Sequence, residues 1–320
     1  HPAFAKLFVE SEYLPEENAL FFRRRPRAAH EAPRFLAHML IVSAELTPSR
    51  AYESDRAAFI GRNRTLVNPG ALQPNGHWLT GTVGATLDPI MSLGQKITLA
   101  PHSSAEIALL TFTAATREEL LALAQKYQQW TAVHTAFNEA RVQALQEMMR
   151  LDMDTALLKE TQQLLSLLLY PHAAGRAPAS TIAANRLGQP ALWGYSISGD
   201  YPILLLEMAD EKAQELLVTL LRAHAYWRRR GLRIDLVILN RQATNYGQPV
   251  QNAINRTVRR LESEHWLNKR GGIFIIRGDQ MSQADGILLH TIARVVLSHE
   301  AGSLAAQLAP MHQAALALPP

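Results

Sequence analysis

The 320-residue chain contains no cysteine, which excludes disulfide bonds and thiolate metal sites and fits a reducing compartment. It has no apolar run of the about 18 residues that a membrane-spanning helix needs. No signal peptide opens the sequence, which begins at His1, without a methionine, in strand-like sequence. We therefore expect a segment cut from a longer protein, with no membrane span of its own.

Charge is also sparse and nearly balanced. Charged residues make up 19% of the chain, with 32 Lys and Arg against 28 Asp and Glu. The basic runs at 23–25 and 228–230 are short and lie on different predicted elements. A nucleic-acid groove needs a basic stripe with aromatic side chains for base stacking. We therefore expect no nucleic-acid partner, and we interpret both runs as solvated arginines on a sheet edge and at a helix end.

Metal and cofactor motifs are missing. The 12 histidines show no metal-ligand spacing, and the sequence contains no HExxH, Walker loop or GxGxxG. The nucleophile elbow GxSxG is absent as well. We therefore predict no metal and no cofactor, and the motifs assign no catalytic residue.

Short apolar runs separated by Gly, Pro, Asn and Ser fill residues 1–113, which we predict to be a portion of an antiparallel β-sandwich. The predicted strands include 19–22, 35–42, 80–87, 97–99 and 106–112. Residues 114–175 have helical periodicity, begin with a capping box at Thr116 and Glu119, and are predicted to form a helical linker.

The clearest periodicity lies in residues 176–306. Continuous apolar strands are predicted at 201–208, 234–239 and 273–276, and helices at 210–230, 250–267 and 283–297. Alternating strands and helices predict a small α/β module with a parallel sheet buried on both faces. Residues 307–320, rich in Ala, Leu and Pro, are predicted to be a linker tail. The predicted fold class is therefore multidomain, with α and β structure.

Ligands of open α/β sheets bind beyond the carboxyl ends of the strands. Here those ends are residues 207–210, 240–248 and 277–280. Amides, a tyrosine and an aspartate suit sugar hydroxyls, so the candidate binding residues are Asn240, Asn245, Tyr246, Arg277 and Asp279. The alternative is that these loops hold ordinary turn residues, with Asp210 and Ser282 capping the helices that follow.

Asp200 is a further candidate, because it stands between Ser198-Gly199 and Tyr201-Pro202 just before an apolar strand. It is either a carboxylate that contacts sugar or a turn aspartate bonded to nearby backbone amides.

Five stretches carry a resemblance to one family. In chain order they are YESDRAAFIGRNRT (52–65), LTGTVGATLDPIMSL (79–93), NRLGQPALWGYSISGDYPILLLEM (185–208), DLVILN (235–240) and ARVVLSHEAGSLAAQL (293–308). Together they resemble the carboxy-terminal half of bacterial cyclic β-1,2-glucan synthases, the last part of which belongs with the family 94 glycoside phosphorylases. The resemblance covers nearly all of the chain.

The resemblance implies that residues 1–113 are the later half of the large amino-terminal sandwich of family 94 enzymes. It implies neither catalytic centre of such a synthase, since the toroidal helical domain and the sugar-nucleotide site have no counterpart in this sequence. The implied role is an accessory, non-catalytic segment that contacts glucan oligosaccharide and the other domains of its parent. The implied location is the cytoplasmic face of the bacterial inner membrane, within a membrane-anchored parent.

Two other functions stay open. The first is a stand-alone carbohydrate-active hydrolase or transferase that uses the α/β loops. The second is a nucleotide-binding module, because small parallel sheets often bind nucleotides. Its weakness is the turn after the first strand, Leu206-Glu207-Met208-Ala209, which has no glycine to cradle a phosphate.

Overall fold

The computed structural model describes residues 4, 6–43, 51–73, 78–242 and 248–316. The chain divides into two compact units, His1–Val142 and Gln143–Pro320, and the division falls within one long helix, α3 (Trp130–Arg150). Each unit has its own buried core. None of the helices in the described part of the chain is long and apolar enough to cross a membrane.

The first unit is mainly antiparallel β-structure. Its elements are β1 (Val9–Leu14), β2 (Ala19–Arg24), β3 (Arg34–Val42), β4 (Ala51–Asp55), α1 (Arg56–Ile60), β5 (Gly84–Ala85), β6 (Pro89–Gly94), β7 (Ile107–Ala114) and α2 (Arg117–Tyr127). Five strands form one antiparallel sheet in the order β5-β1-β2-β3-β7, while β4 and β6 form a separate ribbon.

The two faces of this sheet are covered differently. Side chains alternate between the faces of a strand, so Phe21 and Ala37 pack against Leu120 of α2. On the opposite face, the ring of Tyr13 stacks on Tyr52 of the ribbon at 3.9 Å between ring centroids. The predicted sandwich-like β-structure is therefore confirmed.

Two predicted strands of this unit were wrong in extent. Of the run 80–87 only Gly84–Ala85 is a strand, and residues 97–99 form none. Leu99 is exposed, so this run has no buried apolar face that would hold it against a partner strand. The sequence prediction also missed the ribbon of β4 and β6.

The predicted helices after residue 114 are present. Thr116 Oγ1 accepts a hydrogen bond from the Glu119 amide at 3.2 Å, and Glu119 Oε2 accepts one from the Ala115 amide at 3.2 Å. The helix α2 packs on the first sheet, whereas α4 (Thr155–Leu169) buries Leu164 and Leu168 in the core of the second unit. Thus α2 belongs to the first unit and α4 belongs to the second. The predicted domain boundaries at 113/114, 175/176 and 306/307 stay predictions.

The second unit is an α/β structure. After α4 its elements are α5 (Ala179–Ala184), β8 (Ile203–Met208), α6 (Gln214–Arg229), β9 (Asp235–Asn240), α7 (Pro249–Arg260), β10 (Ile273–Arg277), α8 (Gln283–Ile292), β11 (Val295–Ser298) and α9 (Leu304–Leu316). The four strands form one parallel sheet in the order β10-β9-β8-β11. The predicted parallel neighbours β8, β9 and β10 are confirmed.

Both faces of the parallel sheet are buried, as its continuous apolar strands predict. Leu204 and Ile238 face a core that α4, α6, α7 and α9 complete. Leu205 and Val237 face a second core, to which α8 contributes Leu288. Polar groups of the sheet are therefore confined to the ends of its strands.

Two predicted helices end earlier than expected. The helix predicted at 250–267 stops at Arg260, because Glu262 takes a left-handed conformation (φ 50°) and the Ser263 amide bonds back to the Val258 carbonyl at 2.9 Å. Trp266 and Leu267 still pack on the core, which explains the misleading periodicity.

The helix predicted at 283–297 stops at Ile292, and Val295–Ser298 is a fourth strand paired with β8. A short apolar run fits a helix or a strand equally well, and the free edge of β8 decides for the strand. Residues predicted as a linker tail from 307 are helical as far as Leu316, with Leu308 buried.

We expect Leu205→Ala and Ile238→Ala each to lower the free energy of unfolding by about 2–5 kcal/mol, since each leaves a cavity in a two-sided core. Urea unfolding of the full chain measures the loss. Leu169→Ala is the matched control; this side chain is 42% exposed, and its loss should cost only about 0.5 kcal/mol. Equal losses in all three variants would contradict the buried position of β8 and β9.

Candidate ligand-binding cavity at the carboxyl edge of the parallel sheet

The predicted strand ends do meet at one edge of the sheet. Met208 is the register partner of Asn240, and Asn240 is the partner of Arg277. The loops after β9 and β10 approach closely, because a Cβ at Gly278 would lie only 3.0 Å from the Asn240 carbonyl oxygen. A glycine at this position therefore permits the two loops to touch.

A cavity of about 640 Å³ opens beside these loops. It is lined by Thr181, Glu207, Leu239, Arg241, Gly278, Met281, Ser282, Gln283, Gly286, Ile287 and His290. Its size and its mixture of apolar wall with a few convergent polar groups are typical of small-molecule sites.

Glu207, at the end of β8, is the electrostatic centre of the cavity. Its Oε1 accepts hydrogen bonds from Arg241 Nη1 at 2.7 Å and from His290 Nε2 at 3.0 Å. His290 Nδ1 lies 2.7 Å from the Gly286 carbonyl oxygen. Both ring nitrogens therefore face oxygen acceptors, an arrangement that favours the doubly protonated imidazolium.

The pKa values of the pair move in opposite directions. The hydrogen bond to Glu207 raises the pKa of His290 and outweighs the opposing effect of burial. Burial alone would raise the pKa of Glu207, but the hydrogen bonds and positive charges of His290 and Arg241 together lower it. Glu207 is therefore held as a carboxylate.

This chemistry suits polar binding better than acid catalysis. A general acid needs a carboxyl whose pKa is raised towards the working pH, whereas that of Glu207 is lowered. Glycoside cleavage usually needs two carboxyl groups across the scissile bond. Among the described residues that line the cavity, Glu207 is the only carboxylate.

Three of the predicted binding residues adjoin the cavity and are engaged with protein groups. Arg277 holds Asp279 through two hydrogen bonds, Nε to Oδ1 at 3.1 Å and Nη2 to Oδ2 at 2.6 Å. Asn240 accepts from the Gln242 amide and donates to Gln251 Oε1 at 3.2 Å. The candidates Asn245 and Tyr246 lie outside the described residues.

The structure places Asp200 at the opposite edge of the sheet. It precedes β8, whose six residues span about 20 Å. Its Oδ2 accepts from Arg270 Nη2 at 2.5 Å, and its Oδ1 accepts from Gln189 Nε2 at 3.2 Å. Asp200 is therefore separated from the other candidates and occupied by an ion pair.

The capping alternatives are confirmed for two residues. Asp210 Oδ1 accepts from the Lys212 amide at 2.7 Å, and Ser282 Oγ accepts from the Asp285 amide at 3.1 Å. Arg241 and His290 were not among the binding residues predicted from the sequence. The sequence did offer a signal for Glu207, because it is a carboxylate near the end of an otherwise apolar strand. For His290 it offered none, because the helical pattern does not show that the His290 side chain faces the sheet.

A second unusual carboxyl group lies at the amino edge. Asp235 is fully buried; its Oδ1 accepts from the Gly271 amide at 2.7 Å, and within the described part of the chain no donor reaches Oδ2. Burial raises the pKa of Asp235 to about 6, although the Gly271 hydrogen bond and the charge of Arg270 oppose the shift.

We expect Asp235→Asn to alter how stability depends on pH. Because the folded pKa is raised above 3.8, the stabilising contribution of the protonated carboxyl is complete below that value and is lost as the pH rises through about 6. The free energy of unfolding of the wild type, relative to the variant, should fall by up to about 3 kcal/mol between pH 4 and 8. A flat difference would contradict the burial of Asp235.

His290 offers a direct test of the cavity electrostatics. By NMR titration its pKa should lie above 6.5 in the wild type and drop in Glu207→Gln, since the charged acceptor is lost. Arg241→Gln should raise it further, because a nearby positive charge is removed. The stabilisation by this pair should be complete between about pH 4.5 and 6.5. It should be lost as the pH rises through the raised pKa of His290 and also as the pH falls through the lowered pKa of Glu207. An unchanged pKa in Glu207→Gln would contradict the contact.

Comparison with known proteins supports the sequence resemblance. Residues 1–130 match the family model described as glycosyl hydrolase 94, supersandwich domain. Over 310 residues the chain is 29% identical to the cyclic beta-(1,2)-glucan synthase NdvB of Rhizobium meliloti (strain 1021). This alignment covers 97% of the chain but only 11% of the relative. The resemblance to a segment of a cyclic β-1,2-glucan synthase is thereby confirmed.

Proposed function

We propose that the chain is an accessory, non-catalytic segment of a cyclic β-1,2-glucan synthase that binds the glucan chain in the cavity around Glu207. The observation that carries the proposal is the polar cavity at the carboxyl edge, in a chain that aligns over 97% of its length with such a synthase. As in the sequence analysis, we place the segment at the cytoplasmic face of the inner membrane, within a membrane-anchored parent.

The cavity has the groups that a neutral sugar needs. Arg241 and Ser282 supply donors, Glu207 supplies a charged acceptor, and Leu239 and Ile287 supply apolar surface for the C–H face of a sugar ring. Its volume of about 640 Å³ falls in the range of sites that enclose small ligands. We propose Asn240, Arg277 and Asp279 as flanking contacts. Asn245 and Tyr246, which follow Asn240 in the sequence and lie outside the described residues, stay proposed contacts from the sequence alone.

The state of Glu207 supports a non-catalytic role. Its carboxylate is shared between two cations, so it is a poor proton donor and a hindered nucleophile. Hydroxyl groups of a sugar can still bind beside it, because a carboxylate has about four acceptor positions. The cavity is therefore suited to hold a glucan rather than to cleave it.

The alternative of a stand-alone hydrolase or transferase has one observation in its favour, the His290–Glu207 pair inside a cavity. Such a pair performs acid–base chemistry in many enzymes, so turnover is the discriminating measurement.

A nucleotide is less suited to this sheet. The strand order reverses beside β8, which is where nucleotides bind in related topologies. However, the Asp210 carboxylate already accepts from the amide of Lys212 after β8. A phosphate would meet a negative charge at that turn.

We expect linear β-1,2-gluco-oligosaccharides to bind with a dissociation constant of roughly 1 mM, about 4 kcal/mol. In an NMR titration of the full chain, the amides of Gly278, Ser282 and Gly286 should shift. Arg241→Ala should abolish the shifts and Arg277→Lys should weaken them, since a planar donor pair is lost. Tyr246→Ala should also abolish the shifts, because the aromatic contact predicted from the sequence is lost.

Arg62→Ala, an exposed arginine of the first unit, is the matched control and should bind as the wild type does. Absence of any shift at high millimolar oligosaccharide would rule out the site. Release of glucose 1-phosphate when phosphate is added to the same mixture would instead contradict the non-catalytic role.

A further inference from the structure

Helix carboxyl ends gather at the amino edge of the parallel sheet. The helix α6 ends at Arg229, α7 ends at Arg260 and α3 ends at Arg150, each with arginine in its last turn. The three ends lie close together. Arg230, next to the end of α6, places its Nη2 2.7 Å from Glu147 Oε2 of α3. Arg150 at the end of α3 and Arg260 at the end of α7 line the same cleft.

We call this region the arginine surface. Its basic side chains are Arg150, Arg222, Arg228, Arg229, Arg230, Arg233, Arg259, Arg260, Lys269 and Arg270, and its acidic side chains, the buried Asp235 apart, are Glu147, Asp152, Asp200, Glu262 and Glu264. Among the described residues the surface has ten basic and five acidic groups, an excess of five positive charges. Because the whole chain has a formal net charge of +4, the surplus is concentrated here.

Ion pairing neutralises only part of the surface. Arg222 pairs with Asp152, Arg230 with Glu147, Arg259 with Glu264 and Arg270 with Asp200. Within the described ranges, no carboxylate lies within 4.0 Å of the remaining basic groups, which are Arg150, Arg228, Arg229, Arg233, Arg260 and Lys269.

Helix stabilisation does not account for all of these charges. Cations in a last helical turn interact favourably with the helix dipole, which explains Arg228, Arg229 and Arg260. Arg233 and Lys269 lie beyond the helices, in the loops that lead into β9 and β10, and both are exposed. These two loops extend the positive field past the helix ends.

The aromatic groups of the surface are arranged differently from a nucleic-acid platform. The Arg228 guanidinium lies 4.1 Å from the centroid of the Trp266 ring, and Arg233 donates to the Tyr201 hydroxyl at 2.9 Å. Burial lowers the pKa of Arg228 to about 10, so it stays protonated at neutral pH. The stacked arginine occupies the ring face that a nucleobase would need.

The arginine surface also contains a cleft of about 300 Å³ that can admit a phosphate group. Its charged lining residues are the three arginines Arg150, Arg222 and Arg260 and the two carboxylates Asp152 and Glu262. Arg222 Nε is buried, and no acceptor reaches it in the described part of the chain. An anionic oxygen in this cleft would complete its hydrogen bonding.

We propose that the arginine surface binds the phosphate headgroups of an anionic phospholipid bilayer. Clusters of four to eight Lys and Arg are typical of contacts with anionic lipid headgroups. The arginine surface and the proposed glucan cavity lie at opposite edges of the sheet, so binding at one does not depend on the other. It describes attachment to a bilayer surface, not insertion.

Co-sedimentation with vesicles tests the proposal. The full chain should bind vesicles containing phosphatidylglycerol but not vesicles of phosphatidylcholine alone, and 0.5 M salt should release it. The variant R229E/R233E/K269E should bind about 100-fold less, since each basic group near the surface contributes several-fold. The control R62E/R64E/R141E makes the same charge change at exposed arginines of the first unit and should bind nearly as the wild type does.

The neutral variant R229Q/R233Q/K269Q guards against misfolding from charge reversal and should also lose binding. No binding by the wild type, or an equal loss in the control, would overturn the proposal. Displacement by low-millimolar glycerol phosphate would identify a free-phosphate site instead. Binding of single-stranded oligonucleotide or polyglutamate, with vesicles left unbound, would identify another polyanion as the partner.

Discussion

Burial of β8 and β9 on both faces is the constraint on which the second unit depends. Every side chain of Ile203–Met208 except Glu207 is buried, and Asp235–Asn240 is buried throughout. If either apolar face of these strands were exposed to water, the folded protein would lose the stabilisation that burial of that face provides. Helices must therefore cover both faces, and any polar chemistry of the sheet has to lie at its two edges.

The two edges differ in chemistry because strands and helices run in opposite directions. Helix amino ends and strand carboxyl ends meet at one edge, where loops hold Glu207, Arg241 and His290 around a cavity. Helix carboxyl ends meet at the other edge, where cations are favoured by the helix dipoles. The same topology thus separates a candidate sugar site from a positively charged surface by the length of one strand.

Glu207 shows how a small network changes the function of a carboxyl group. At the end of a buried strand it would be a candidate acid, since burial raises a carboxyl pKa. Two cations from different elements, Arg241 after β9 and His290 on α8, reverse that direction. A glucan held beside this network would meet oriented hydrogen-bond partners instead of a proton donor. That arrangement agrees with the accessory role proposed above.

Periodicity and local chemistry were sufficient to predict β2, β3, β7, β8, β9 and β10, most helices, the capping at Thr116, Asp210 and Ser282, and the family resemblance. The strand at 295–298 depends on long-range packing, since the free edge of β8 is needed to pair it. Likewise, Asp200 and Asn240 seemed equivalent as polar residues beside apolar strands, but parallel pairing places them at opposite edges. His290 and Arg241 meet Glu207 only through long-range packing, which no local pattern encodes.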